Sequence, residues 1–103
     1  RLAESCDPAD RSLAARMWPR LQHQPGASRR ALDGTPLTSD EHPAALAGAA
    51  AAAAAAGDGD AAHELLDRAA KLDADHPTYY GAAWVALGRV MLTTRWLQGC
   101  PPM

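Results

Sequence analysis

The stretch from His42 to Leu92 constrains the fold most, because it reads as three consecutive helical patterns separated by two short turns. Pro43 and Pro77 each follow a His, and each opens one of these patterns. Proline suits the first position of a helix, where its missing N–H leaves no hydrogen bond unmade and its fixed φ is already helical. The stretch therefore predicts a block of three helices and an all-α fold.

The first helix of the block, from about Pro43 to Ala56, is nearly all alanine. Alanine has the highest helix propensity but supplies almost no side-chain bulk, so this helix lets its neighbours approach closely. Gly57 is the expected C-terminal cap, and either Asp58 or Asp60 caps the helix that follows. A helical hairpin is the predicted result.

The other two helices of the block differ in how their apolar residues are distributed. From Asp60 to Asp73 the apolar residues lie on one face, which is typical of a surface helix with one buried side. From Pro77 to Leu97 they occupy most of the circumference, so we expect this last helix to lie in the middle of a larger assembly. The residues concerned are Leu65, Leu66, Ala69 and Leu72 in the former, and Tyr79, Tyr80, Ala83, Trp84, Leu87, Val90, Met91 and Leu92 in the latter.

The N-terminal part adds one more helix. Asp7 is a candidate N-cap, with Pro8 at the first helical position. Apolar residues then recur at helical spacing up to Pro19, which either kinks the helix or ends it. They are Leu13, Ala14, Met17, Trp18 and Leu21.

A long loop, residues 25–41, joins this helix to the block and is rich in Pro, Gly, Ser, Thr and Asp. Asp33-Gly34 is a turn dipeptide within it. We expect Leu32 and Leu37, on either side of that turn, to pin the loop to a core. A loop of this length in a compact domain more often has a function than serves only as a connection.

Charge and hydropathy argue against two classes of partner. The formal net charge is −2, the pI is near 6.0, and the basic residues are scattered along the sequence. The sequence therefore predicts no concentrated positive surface of the kind that binds a nucleic acid. No apolar run approaches the roughly 20 residues that a membrane span needs. The chain begins at Arg1 without an export signal, so we expect any signal to lie upstream.

Two cysteines, Cys6 and Cys100, lie near opposite ends of the chain. They have no His or acidic partners at the spacing of a zinc motif. A disulfide between them would close a very long loop and contribute up to about 4–5 kcal/mol in the chain-entropy model. The alternative is two unrelated buried thiols. A thiol count on the unreduced, unfolded protein distinguishes the two.

Tyr79 and Tyr80 are candidate substrate-binding residues, because aromatic faces stack on sugar rings and other planar surfaces and pockets tend to open at the start of a helix. The alternative is that both are core residues, since they lie at helical spacing. For Trp84 we favour a place in the core. We find no acid–base pair, histidine pair, phosphate loop or nucleophile motif, so we predict no catalytic residue, no metal and no cofactor. Asp58-Gly59-Asp60 lacks the further ligands of a calcium loop and is interpreted as a capping turn.

The order of motifs resembles the C-terminal part of glycoside hydrolase family 8 over nearly the whole chain. Two shared features are a loop with an LDG-type turn and a closing helix opened by a Tyr-Tyr-Gly segment. The matching elements are Leu32-Asp33-Gly34-Thr35-Pro36-Leu37, the helix from Pro43 to Ala56, Gly57-Asp58, Tyr79-Tyr80-Gly81-Ala82-Ala83-Trp84 and, at the start, Arg1-Leu2-Ala3.

This resemblance implies a secreted or cell-envelope (α/α)₆ barrel of helical hairpins that cleaves β-1,4-linked polysaccharide, such as a cellulose-like glucan, with inversion. The family's catalytic carboxylates lie upstream of the matched region. Residues 1–103 would then be a single all-helical segment of about four helices, the incomplete C-terminal part of a larger catalytic domain. The segment alone is expected to be inactive and to pack against the missing N-terminal part of the barrel, with Tyr79 or Tyr80 lining a sugar subsite.

A second resemblance is to tetratricopeptide repeats, in which a unit of about 34 residues folds as a helical hairpin. Pro43 and Pro77 lie 34 residues apart, and Ala62 and Ala69 fall where the repeat has small residues. The Ala-rich helix departs from the repeat, which has large residues there, and Trp84 comes late. The alternative function is therefore a protein-interaction module with no enzymatic activity.

Overall fold

A computed structural model describes residues 2–97 of the chain. Within them lie a 3-10 helix, Leu2–Glu4, and four α-helices, and the described residues contain no β-strand. The prediction of an all-α chain with about four helices is confirmed. The α-helices are α1 (Pro8–Leu21), α2 (Pro43–Ala55), α3 (Gly59–Asp75) and α4 (Tyr79–Thr93).

The predicted caps begin and end the first three helices. The Asp7 carboxylate accepts a hydrogen bond from the backbone N–H of Ala9 at 2.9 Å and begins α1. Gly57, with φ of +85°, follows the end of α2 and takes the left-handed conformation that glycine adopts without strain. The Asp58 carboxylate then accepts from the N–H of Ala61 at 3.1 Å and begins α3.

The structure corrects one prediction about prolines and narrows another. Of the two alternatives for Pro19, ending the helix is excluded, because α1 continues to Leu21. Pro77 does not open α4, because Thr78 is the N-cap and its hydroxyl accepts from the N–H of Gly81 at 2.9 Å. Pro77 is therefore part of the turn before α4, and the helix starts two residues after it.

The core is built around α2, which packs against α1, α3 and α4. Five of its alanines are buried, and their small side chains let three neighbouring helices approach one axis: Ala47, Ala49, Ala50, Ala52 and Ala53. The largest fully buried side chains of the described residues are Leu46 on α2 and Leu66 on α3. The core is therefore made mostly of small side chains, with three buried leucines, Leu46, Leu65 and Leu66, among them.

The loop between α1 and α2 is held by hydrogen bonds instead of by its leucines. Leu32 is fully exposed and Leu37 is 57% exposed, so the prediction that they pin the loop to a core was wrong. Backbone bonds from Leu37 N to Arg29 O and from His42 N to Gly26 O, both 3.0 Å, fold the loop back on itself.

In the part of the chain that the structure describes, every helix falls short of the length and apolar character needed to cross a bilayer.

Candidate functional site

An apolar groove with a volume of about 300 Å³ runs along α2 between α1 and α4. Its floor is the face of α2 that carries Ala47, Gly48 and Ala51, where little side-chain volume fills the space above the helix. Met17 of α1 forms one wall and Trp84 of α4 forms the other. We call this feature the aromatic groove, because aromatic rings close one end of it.

Three rings meet at that end of the aromatic groove. Tyr80 and Trp84 are one helical turn apart on α4, with ring centroids 6.3 Å apart and planes 74° apart, which is an edge-to-face contact. The ring of His42 lies 5.7 Å from that of Tyr80. His42 is held there because its Nδ1 accepts a hydrogen bond from the backbone N–H of Ala44 at 3.0 Å and caps α2.

A close helix contact positions these rings relative to α2. Gly81 is buried at the start of α4, and a Cβ added there would lie 3.3 Å from Cγ of Pro43, the first residue of α2. Because Gly81 has no side chain, the first turns of the two helices can touch. This contact between the helices brings the ring of Tyr80 close to the ring of His42.

The structure separates the two candidate tyrosines. Tyr80 lines the aromatic groove and is 60% exposed, so one part of its ring contacts its neighbours and the rest faces solvent. Tyr79 is 93% exposed and is not among the residues that line the groove. Adjacent residues on a helix project about 100° apart, so only one of them can face α2. The assignment of both as substrate-binding residues stays a prediction.

Two of the three clustered rings have a different place in the structure from the one that the sequence predicts. Trp84 was favoured as core but is only partly buried, and it faces the aromatic groove. His42 was interpreted only as a residue that begins a helix. The signal for Trp84 was its spacing of four from Tyr80, which places the two side chains on one helix face. No local signal joins His42 to Tyr80, since that contact depends on the packing of α2 against α4.

The residues that line the aromatic groove are suited to binding an apolar or flat ligand. Glu4 is the one acidic side chain among the described residues that line it. Glycoside hydrolysis with inversion needs two carboxyl groups, about 6.5–9.5 Å apart. An open apolar groove with tyrosine and tryptophan rings at one end suits a stacked sugar or an apolar side chain of a partner.

Histidine, cysteine and acidic side chains could form two further features, a metal site and a disulfide. Across residues 2–97, no group of three or more His, Cys, Asp or Glu side chains is placed to hold a metal ion. Cys6 lies between the 3-10 helix and α1, whereas Cys100 lies outside the described residues. The Cys6–Cys100 disulfide therefore stays a prediction.

Comparison of the chain with known proteins adds no relative: no family model, no curated protein and no solved structure matches it.

Proposed function

We propose that this chain is the C-terminal part of a family 8-like glycoside hydrolase, exported to the cell envelope or beyond, that cleaves β-1,4-linked polysaccharide with inversion. The observation that carries the proposal furthest is the position of Tyr80 and Trp84, whose rings are partly exposed at the end of an apolar groove. Such rings provide the flat apolar faces on which pyranose rings stack. Tyr80, with Tyr79 beside it, would border a sugar subsite.

The exposed apolar surface of α4 is the second support. This helix is apolar around most of its circumference, yet its buried residues are Gly81 and Gly88 alone among those the structure describes. Leu87 is 44% exposed, and Trp96, just beyond the helix, is 81% exposed. Exposed apolar residues of this size usually mark a surface that another element covers. In the proposed enzyme, upstream hairpins of an (α/α)₆ barrel cover α4.

In the proposed enzyme, the catalytic carboxyl groups and some of the substrate contacts would lie in different parts of the protein. One carboxylic acid protonates the leaving oxygen and one carboxylate activates a water, and both would come from the upstream part. Residues 2–97 would supply substrate contacts and the closing helices of the barrel. The chain by itself would be catalytically inactive.

The first experiment is the intact mass and N-terminal sequence of the natural protein. A product several times heavier than 10.8 kDa, with helical hairpins and acidic residues upstream, would support the hydrolase. A natural product of 10.8 kDa would exclude a complete barrel in one chain.

The second experiment tests the sugar subsite in the complete enzyme, on a soluble β-1,4-glucan. Tyr80→Ala should raise KM about tenfold, because a stacked aromatic ring contributes on the order of 1 kcal/mol or slightly more to binding. Tyr80→Phe is the matched control, since it keeps the ring and should leave KM within about twofold. Tyr79→Ala tests the neighbouring position. Unchanged kinetics in both alanine variants would overturn the subsite assignment.

The second candidate function is a protein-interaction module of the tetratricopeptide type, and the aromatic groove is the observation that favours it. A groove between helices, floored by small residues, can receive a partner's helix or extended segment. Helix α2 starts at Pro43 and α4 at Tyr79, so the helix starts lie 36 residues apart instead of 34, which weakens this alternative. Further units of about 34 residues in the natural protein would favour it, and none on either side would remove it.

A further inference from the structure

A second groove lies on the far side of Met17, between α1 and the turn at residues 30–34. Its volume is about 530 Å³, and Met17 separates it from the aromatic groove. One wall is a single face of α1, and the other is the turn that contains Asp33-Gly34. We call it the arginine groove; its defining residues are Leu13, Arg16, Met17, Arg20, Arg30 and Leu32.

Three guanidinium groups line the arginine groove, and none of them donates a hydrogen bond to a carboxylate among residues 2–97. Arg20 donates a hydrogen bond to the backbone oxygen of Asp33 at 3.3 Å, and Arg30 donates to those of Gly34, at 2.8 Å, and Gln24. The Arg16 guanidinium makes no hydrogen bond to the described residues, and none of the three arginine side chains forms an ion pair with them. Their positive charges are therefore gathered on one surface of a chain whose net charge is −2.

The wall formed by the turn is fixed before any partner arrives. Asp33 accepts a hydrogen bond from the N–H of Thr35 at 2.9 Å, and Ala31 N–H bonds Thr35 O at 2.9 Å. The hydrogen bonds from Thr35, and to a smaller extent the charge of Arg20, hold the pKa of Asp33 below its usual value. Gly34, with φ of +96°, lies against Arg20, where an added Cβ would be 3.2 Å from that residue's Cβ.

The apolar part of the arginine groove is aliphatic. Leu13 is 46% exposed, Met17 is 51% exposed and Leu32 is fully exposed. No aromatic ring is among the described residues that line the groove, so it lacks the stacking faces that sugars prefer. Aliphatic side chains between guanidinium groups match a partner in which leucine-like residues alternate with carboxylates.

We infer that the arginine groove binds an acidic amphipathic segment of a partner protein, with its carboxylates on Arg16, Arg20 and Arg30 and its aliphatic side chains against Leu13 and Leu32. Charge complementarity identifies this occupant. Arg16 and Arg20 are one helical turn apart, where like charges repel, and carboxylates between them would relieve that repulsion. The inference does not depend on the proposed hydrolase function.

The test uses the full 103-residue chain and a labelled, end-blocked peptide of repeating Glu-Leu-Leu-Glu, about three helical turns long, in a fluorescence anisotropy titration. We expect saturable binding that weakens severalfold between about 0.05 and 0.5 M NaCl, because exposed charge pairs are screened by salt. A Gln-for-Glu peptide and a Ser-for-Leu peptide should each bind more weakly.

Two matched pairs of variants locate the site. Arg16→Gln should weaken binding about threefold, the size of one exposed ion pair, whereas Arg29→Gln removes an equal charge outside the groove and should have no effect. Leu32→Ser should weaken binding, and Leu37→Ser, at an exposed leucine outside the groove, should not. Neither Arg16 nor Leu32 supports the fold through a described side-chain hydrogen bond, so these variants should fold normally.

Three results would overturn the inference. The first is no binding of the Glu-Leu peptide at low salt. The second is equal loss in the Arg16 and Arg29 variants, which would indicate attraction to charge in general. The third is tighter binding to phosphatidylglycerol vesicles than to the peptide, with the same dependence on Arg16 and Leu32, which would assign the groove to an anionic membrane surface.

Discussion

Helices α2 and α4 are both apolar, yet the structure places them in opposite environments. The alanine-rich α2 has the smallest side chains of the chain, and most of them are buried. The closing helix α4 carries Tyr79, Tyr80, Trp84 and Leu87, and its buried residues among those described are two glycines. Side-chain hydrophobicity alone would predict the reverse arrangement, because a large apolar side chain gains more free energy from burial than alanine does.

The difference shows that the helix at the centre is chosen by how closely its neighbours can approach it. Three helices pack around α2 because methyl groups leave room for them. Even α4 approaches through a glycine: a Cβ added to Gly88 would lie 3.4 Å from the Cβ of Ala47 and 3.2 Å from Leu66. Val85 and Leu92 of α4 pack partly against the core. Other large side chains of this helix line the aromatic groove or face solvent, among them Tyr79, Tyr80, Trp84 and Leu87.

The largest expected effect comes from truncating a leucine on each helix. Leu46→Ala on α2, at 1% exposure, should lower the free energy of unfolding by about 2–5 kcal/mol, because it removes one of the two largest side chains of the core. Leu87→Ala on α4, at 44% exposure, should cost about 0.5 kcal/mol. Urea denaturation followed by circular dichroism measures both. Equal losses would mean that α4 is packed as tightly as α2.

The same pair sharpens the comparison in the complete enzyme. If upstream hairpins cover α4, Leu87→Ala should cost about 2 kcal/mol or more there, since the side chain would then be buried. A loss of about 0.5 kcal/mol in both the chain and the complete enzyme would contradict the covered surface.

A smaller effect is expected from enlarging an alanine on each helix. Ala50→Leu on α2 should destabilise by about 1–3 kcal/mol, because the side chain is fully buried and the added atoms would push helices apart. Ala86→Leu on the exposed side of α4 should change stability little, since leucine and alanine have similar helix propensities. Thermal unfolding of the two variants measures both changes in stability. A stabilising Ala50→Leu would reveal unfilled space around α2.

The smallest expected effects are at two glycines, where the substitution on α4 should destabilise the protein and the substitution on α2 should stabilise it. Gly81→Ala on α4 should destabilise by about 1 kcal/mol, because the new Cβ would lie 2.7 Å from a carboxylate oxygen of Asp73 and 3.3 Å from the Pro43 ring. Gly48→Ala on α2 meets nothing within 4 Å and should stabilise by about 0.5–1 kcal/mol through helix propensity. The difference in urea midpoint measures both. A stabilising Gly81→Ala would mean that the starts of α2 and α4 are not in tight contact.

Much of the local structure could be predicted from short-range chemistry. The caps at Asp7 and Asp58, the glycine that ends α2 and the apolar face of α3 all depend on residues within one helical turn of each other. The start of α4 was missed because two starts are possible there: Pro77 could be the first helical residue, or Thr78 could be the N-cap. Thr78 prevails because its hydroxyl accepts a backbone hydrogen bond, which proline cannot supply.

The candidate sites were less predictable, because they depend on contacts between distant residues. Tyr80 could be named from its place at a helix start, but its contact with His42 requires α2 and α4 to meet at Gly81. The arginine groove was not predicted at all. Arg16 and Arg20 share a helix face in the sequence, whereas Arg30 reaches them only through the folding of a long loop.

The sequence by itself determined that this protein is helical, where most of its helices begin and end, and that it has few large residues for a core. These properties follow from propensities and hydrogen bonds that act over three or four residues. Only the tertiary structure decided that the alanine helix lies at the centre, that the large apolar residues of α4 are not fully buried, and that two grooves flank Met17. The physical reason is that close packing is a property of several helices together, and it depends on fit between surfaces that no single segment contains.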